Sequence, residues 1–111
     1  MEIHITARHF KAHETLREYA TNAIERLERY YDGIVRAEIV FSYERPRNSI
    51  KDVEVLLTVY GAVLKAYNQS DDYFKALDNA MEKMERQLKR YKSKLHRKEK
   101  VEVRRVKEKA V

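Results

Sequence analysis

The first seven residues alternate, with Ile3, Ile5 and Ala7 on one side and Glu2, His4 and Thr6 on the other. This two-residue period predicts a half-buried strand over 1–7. From His13 or Glu14 the period lengthens. Leu16, Tyr19, Ala20, Ala23, Ile24, Leu27, Tyr30 and Tyr31 recur three and four apart, as on the inner face of an amphipathic helix. Gly33, just after Asp32, is a natural left-handed stop. From Ile34 the period returns to two: Val35, Ala37, Ile39, Phe41 and Tyr43 face one way, Arg36, Glu38 and Ser42 the other. The polar run 44–49 contains the single proline, Pro46, and reads as a turn. A third strand follows through Val53, Val55, Leu57 and Val59, and a hairpin about Gly61 leads to a short fourth strand over 63–68. Ser70, Asp71 and Asp72 offer an N-cap for a last helix, whose Phe74, Leu77, Met81, Met84, Leu88, Tyr91 and Leu95 form an unbroken seam spaced alternately three and four.

The order strand, helix, three strands, helix predicts an α+β fold. The first strand, helix and second strand form a right-handed parallel crossover, and the next two connections are antiparallel hairpins. The result is a four-stranded mixed sheet with both helices on one face. Glu38, Glu54, Thr58, Lys65 and Tyr67 suit the opposite, water-facing side. Residues 96–111 contain four valines and one alanine among mixed charges, too few to bury, and read as a flexible basic tail behind a domain of residues 1–95.

Composition narrows the function. A chain of 111 residues fits one core. Its 38% charged residues, against about 25% in an average domain, predict a soluble protein. No run approaches a membrane span, and Glu2 and His4 stand where a signal peptide needs a basic start and an apolar core, so a cytoplasmic address is expected. With no cysteine, thiol nucleophiles and cysteine-held metals are excluded. Two isolated glycines cannot build a phosphate-cradling loop. His9 and His13 are four apart but straddle a loop and a helix start without an obvious third ligand, which favours a structural role. Asp71 and Asp72 explain themselves as caps rather than paired acid/base groups, and no serine has a histidine placed to activate it. Neither an enzyme nor a cofactor, metal or small-molecule substrate is expected.

Charge changes the picture once it is located. The net charge is +6, from 24 Lys and Arg against 18 Asp and Glu. Residues 94–111 hold eight of those cations and only three of the acids. On the last helix Lys83, Arg86, Lys89, Arg90, Lys92, Lys94, Arg97 and Lys98 place eight cations in sixteen residues against the single acid Glu85. Because the apolar seam must face inward, these side chains project sideways and outward. Lys83, Arg86, Arg90, Lys94 and Arg97 follow three-to-four spacing and form one ridge. At about 1.5 Å per residue it spans about 21 Å, enough to follow several phosphates of a nucleic acid. A solvated helix end explains two or three such cations better than eight. Arg8 and Arg26 are further candidates for RNA contact. Tyr30, Phe41, Phe74 and Tyr91 are expected in the core, whereas Tyr43, Tyr60 and Tyr67, near strand ends, could stack bases.

These residues resemble a known family. Ile5-Thr6-Ala7-Arg8-His9, then Glu14-Thr15-Leu16-Arg17-Glu18-Tyr19 and Leu27-Glu28-Arg29-Tyr30-Tyr31-Asp32, are similar to the opening of the bacterial ribosome hibernation-promoting factor and ribosome-associated inhibitor family. Asp72-Tyr73-Phe74-Lys75-Ala76-Leu77-Asp78 and the run from Lys83 to Leu95 resemble its final helix, with basic positions matching at Lys83, Arg86, Arg90, Lys92 and Lys94. The resemblance covers residues 1 to about 95. It implies a β-α-β-β-β-α domain that binds rRNA in the decoding region of the small ribosomal subunit, excludes messenger and transfer RNA, and silences translation in stationary phase or stress. The implied partner is therefore the small subunit and its rRNA, with no membrane. Ala7 stands where the family often has glycine, Ala23 where a lysine often occurs, and His13 in place of the usual threonine or serine cap, which implies a smaller binding role for the first helix. The resemblance is compatible with a short member or with the N-terminal part of a long, two-domain one. A double-stranded RNA-binding domain is the alternative. That class puts lysines at the start of its last helix, where this chain has Asp71, Asp72 and Asp78. A protein-interaction module using the 74–95 seam is a third reading, weakened because so small a domain needs that seam for its own core.

Overall fold

A computed structural model describes residues 1–44 and 50–110, with side chains through residue 96. The elements run β1 (Glu2–Ala7), α1 (Glu14–Tyr30), β2 (Ile34–Tyr43), β3 (Lys51–Val59), β4 (Ala62–Ser70) and α2 (Tyr73–Ala110). The sheet has the order β1-β2-β3-β4. β1 pairs with β2 in parallel, Ile3 beside Ala37 and Ile5 beside Ile39. The other two pairings are antiparallel. The fold is the α+β arrangement expected from the sequence.

Alternation decides which sheet face is covered. Ala37, Ile39 and Phe41 of β2 join Val53, Val55, Leu57 and Val59 of β3 and Ala66 of β4 in one buried cluster. Leu16, Ala20, Ala23, Ile24 and Leu27 of α1 and Ala76, Leu77, Ala80, Met81, Met84 and Leu88 of α2 belong to the same cluster, so both helices cover one face. Each large aliphatic or aromatic side chain so buried contributes about 1.5–3 kcal/mol. The other face keeps Glu54, Lys65 and Tyr67 exposed and Glu38 and Thr58 half-buried.

Three local features depart from the periodic reading. Ile34 opposes Val59 while Arg36 opposes Thr58, so Val35 is an extra residue in a β-bulge. The bulge shifts the alternation by one: Ile34 is buried, and Val35, expected inside, is 60% exposed. Phe74 and Tyr30, expected in the core, are surface residues, because the seam of α2 starts at Ala76 and Leu77 and that of α1 ends at Leu27. The last helix does not end near Leu95 but continues to Ala110. Past Ser93 the chain is rich in Lys, Arg and Glu and has neither Gly nor Pro, a composition that favours helix. The turn residues 45–49 lie outside the described residues. No described helix is long and apolar enough to cross a membrane.

The helix starts are capped as their sequences suggest. His13 Nδ1 accepts from Thr15 N at 3.1 Å, so the imidazole does the work of a hydroxyl cap. Asp72, rather than Ser70, caps α2, its Oδ1 accepting from Phe74 N at 2.9 Å. His9 adopts a left-handed φ of 67°, and its carbonyl accepts from the Tyr43 hydroxyl at 3.4 Å, which ties the β1–α1 loop to the end of β2.

Candidate nucleic-acid interface

The exposed side of α2 gathers the cations because its other side is committed. Leu77, Met81, Met84 and Leu88 are buried, and Tyr91 and Leu95 are half-buried. Lys83, Arg86, Lys89, Arg90, Lys92 and Lys94 are all exposed. The structure divides them into two groups. Lys83 and Lys92 flank the helix and are held by main-chain carbonyls: Lys83 Nζ donates to Tyr67 O at 2.8 Å, and Lys92 Nζ donates to Tyr30 O at 3.3 Å while sitting 4.6 Å from the Tyr30 ring centroid. Arg86, Arg90 and Lys94 of the three-to-four ridge, and Lys89 beside them, form the second group: all are exposed, and among the described contacts none is held by the sheet or by α1. Arg86 has only a long contact to Glu82, 3.9 Å between two side chains about 70% exposed, and such pairs contribute little. Arg90 Nε reaches the Arg86 carbonyl at 3.5 Å, the edge of hydrogen-bond distance. The outward triad can therefore turn to phosphates without breaking a strong internal bond. The side chains of Arg97 and Lys98 lie outside the described residues.

The ridge has a rigid base. Gln87 donates its side-chain amide to Lys65 O on β4, and the Tyr91 hydroxyl donates to Tyr60 O in the β3–β4 turn. Tyr31 packs edge-on against Tyr91, ring centroids 5.9 Å apart. Burial first, and Tyr91 second, push the Tyr31 hydroxyl above its ordinary pKa. Gly33 does not take the left-handed φ expected of a helix stop; a Cβ there would meet the outer end of the Tyr31 ring, so a larger residue would displace that ring from Tyr91. Sequence counting gave no weight to these supports, since Gln87, Tyr60 and Tyr31 are far from one another along the chain.

The remaining sequence-predicted residues are distributed unevenly. Arg26 is exposed on α1, on the stripe between Tyr19 and Tyr30. Tyr19 donates to Asp78 of α2 at 2.6 Å and Tyr30 receives Lys92, so Arg26 borders the edge between the two helices on which Lys92 lies. The Asp78 hydrogen bond, ahead of burial, raises the Tyr19 pKa. Arg8 is not brought there. Its N–H donates to Phe41 O at 2.9 Å, at the end of the sheet where Tyr73 starts α2, whereas Tyr91 anchors the ridge at the other end. About eight strand residues, roughly 26 Å, separate the two ends. Of Tyr43, Tyr60 and Tyr67, Tyr60 is the one left 86% exposed, beside the Tyr91 anchor. The Tyr67 hydroxyl donates to Asp52 at 2.6 Å on the open sheet face. Burial, then Asp52, push its pKa up to about 12. Tyr43 lies near His9, at the Arg8 end.

The class is thus an α+β domain that presents one cationic helix and no other comparably basic described element. The chain belongs to the family described as sigma 54 modulation protein / S30EA ribosomal protein, whose model matches residues 3–96. It is 33% identical over 91 residues to a ribosome hibernation promotion factor of Deinococcus radiodurans, covering 80% of this chain and 48% of that protein. A ribosome hibernation promoting factor of Azotobacter vinelandii is 31% identical over 94 residues, covering 85% of each chain. The chain therefore spans about half the length of the first relative and most of the second. A ribosomal subunit interface protein from Coxiella burnetii has a similar structure, with a TM-score of 0.76 at 29% identity over 84% of this chain and 99% of that one.

Proposed function

We propose that this chain is a ribosome hibernation factor acting in the cytoplasm. It binds rRNA in the decoding region of the small ribosomal subunit, occupies the space of messenger and transfer RNA, and silences translation by exclusion rather than by chemistry. The observation that carries this reading is the outward triad Arg86, Arg90 and Lys94 on a helix fixed to the sheet through Gln87 and Tyr91, in a chain whose relatives bear hibernation names. Family membership supplies the ribosome and the ridge supplies the means of holding phosphate.

In this mechanism the cations release counterions from the RNA backbone, and the rigid base keeps them at fixed spacing. Lys89, Lys92 and Arg26 extend the contact toward α1, while Arg8 serves a separate contact at the far end of the sheet. The basic tail, residues 96–111, adds affinity and association rate without being needed for folding. The acids Asp71, Asp72 and Asp78 at the start of α2 oppose the alternative of a double-stranded RNA-binding domain.

Cosedimentation with purified small subunits tests the proposal. Binding at a one-to-one limit, with translation inhibited stoichiometrically and relieved by excess transfer RNA or initiation components, is expected. Inhibition by substoichiometric protein that persists after its removal contradicts it. Deleting residues 99–111 is expected to preserve the fold and to reduce the salt slope of binding by about one to three units. Unchanged affinity and slope would leave the tail no role in binding.

A further inference from the structure

The open face of the sheet carries a charge pattern that the ridge does not explain. By register, His4, Glu38, Leu56 and Lys65 form one row across the four strands, and Thr6, Val40, Glu54 and Tyr67 the next. Glu2 and Asp52 lie on the same face and have partners: Glu2 lies 3.8 Å from Arg36, and Asp52 accepts from Tyr67. Glu38 and Glu54 do not. Among the described residues neither makes an ion pair or a side-chain hydrogen bond, and they sit diagonally on the two central strands, since Glu38 opposes Leu56 and Glu54 opposes Val40. They are diagonal neighbours rather than directly opposite, and no ion pair ties either to His4 or Lys65 of the same two rows, so pairing does not account for them.

Their position relative to the ridge does. α2 lies on the covered face of the sheet and turns Arg86, Arg90 and Lys94 outward, so the cations and the two glutamates look in opposite directions across the domain. A cationic ridge alone binds phosphate without regard to sequence or shape, and any RNA that meets it gains much the same attraction. Discrimination then depends on penalties against wrong approaches. A flat, uncovered sheet is the other surface through which a small α+β domain can meet RNA, and two unpaired carboxylates at its centre repel phosphate there.

We propose that Glu38 and Glu54 are specificity determinants: they bar RNA from the sheet face, so that the domain seats only through α2 and only on RNA shaped to receive it from that side. The proposal rests on the reading of α2 as the phosphate-binding surface. The test uses the full chain with Glu38→Gln/Glu54→Gln and Glu38→Lys/Glu54→Lys variants, titrated onto purified small subunits and onto a short RNA duplex of unrelated sequence. Affinity for the duplex should rise about threefold to tenfold in the glutamine variant and further in the lysine variant, with a salt slope steeper by about one, while subunit affinity changes less than about twofold. Melting curves at or above that of the parent show that folding is intact. Unchanged duplex binding, or equal gains on both RNAs, overturns the proposal. An Arg86→Ala/Arg90→Ala variant separates the two levels. If it weakens binding to both RNAs while the glutamate variants change nothing, the specificity proposal alone fails; if it binds both as the parent does, the reading of the ridge fails and the proposal with it.

Discussion

Helices α1 and α2 rest on the same sheet face and bury comparable seams, yet they present opposite prospects to a polyanion. On α1 the signs are mixed: Glu14, Arg17, Glu18, Glu25, Arg26, Glu28 and Arg29 give four acids and three bases. On α2, from Lys83 through His96, six Lys and Arg meet the single acid Glu85. Neither amphipathicity nor capping separates the two helices. The order of charge signs along the outer face does, because a phosphate chain responds to the sum of charges within about a Debye length rather than to any one residue. The inner faces set stability and the outer faces set partners.

The inner faces should respond alike. Leu27→Ala on α1 and Leu88→Ala on α2 each empty a fully buried site and are expected to lower unfolding free energy by about 2–5 kcal/mol in denaturant titrations. A cost well below 1 kcal/mol at either site would mean that the helix is not integral to the core. The outer faces should respond differently. Charge reversal at Arg86 and Arg90 is expected to weaken small-subunit binding by about tenfold to a hundredfold with little change in melting temperature, since exposed side chains contribute little to stability. The matching reversal at Arg17 and Arg29 on α1 should change binding less than about threefold. Equal losses from the two pairs would erase the distinction between the helices. Tyr91→Phe removes the anchor to Tyr60 O while keeping the ring, and an expected loss of about 0.5–1.5 kcal/mol follows from one hydrogen bond.

The smallest expected effect is alkaline. Burial first, then Asp52, raise the Tyr67 hydroxyl to about 12, and burial first, then Asp52 and Tyr43, do the same for Tyr73. A proton held more tightly in the folded state stabilises the fold below the unfolded value of about 10, and the benefit is lost as pH rises from about 10 through about 12. Tyrosinate absorbance should therefore show a late-titrating fraction that disappears on unfolding. A titration with every tyrosine ionising near pH 10 would contradict the burial of Tyr73 and the Asp52 contacts.

Much of this was legible in the chain. The changes of period at Ala7, Ile34 and Gly61 mark the element order, and the α2 seam marks the direction of the ridge. Position 35 was misread because a bulge inserts one residue without any glycine or proline to announce it, and pattern counting has no term for the slip. Phe74 and Tyr30 were misread because hydrophobicity was taken for burial at the ends of seams, where the partner surface runs out. The ridge was legible as a number of cations, but its division into anchored Lys83 and Lys92 and outward Arg86, Arg90 and Lys94 was not. That division depends on the carbonyls of Tyr67 and Tyr30, which only the folded chain brings near.

Salt dependence of binding bears most directly on the central claim that α2 holds the small subunit through phosphates. Affinity measured across a series of potassium chloride concentrations should give a slope of log affinity against log salt of roughly −4 to −5 for about six phosphates, reduced by about two when Arg86 and Arg90 are both neutralised. A slope near zero, or a slope that the double variant leaves unchanged, would contradict the account.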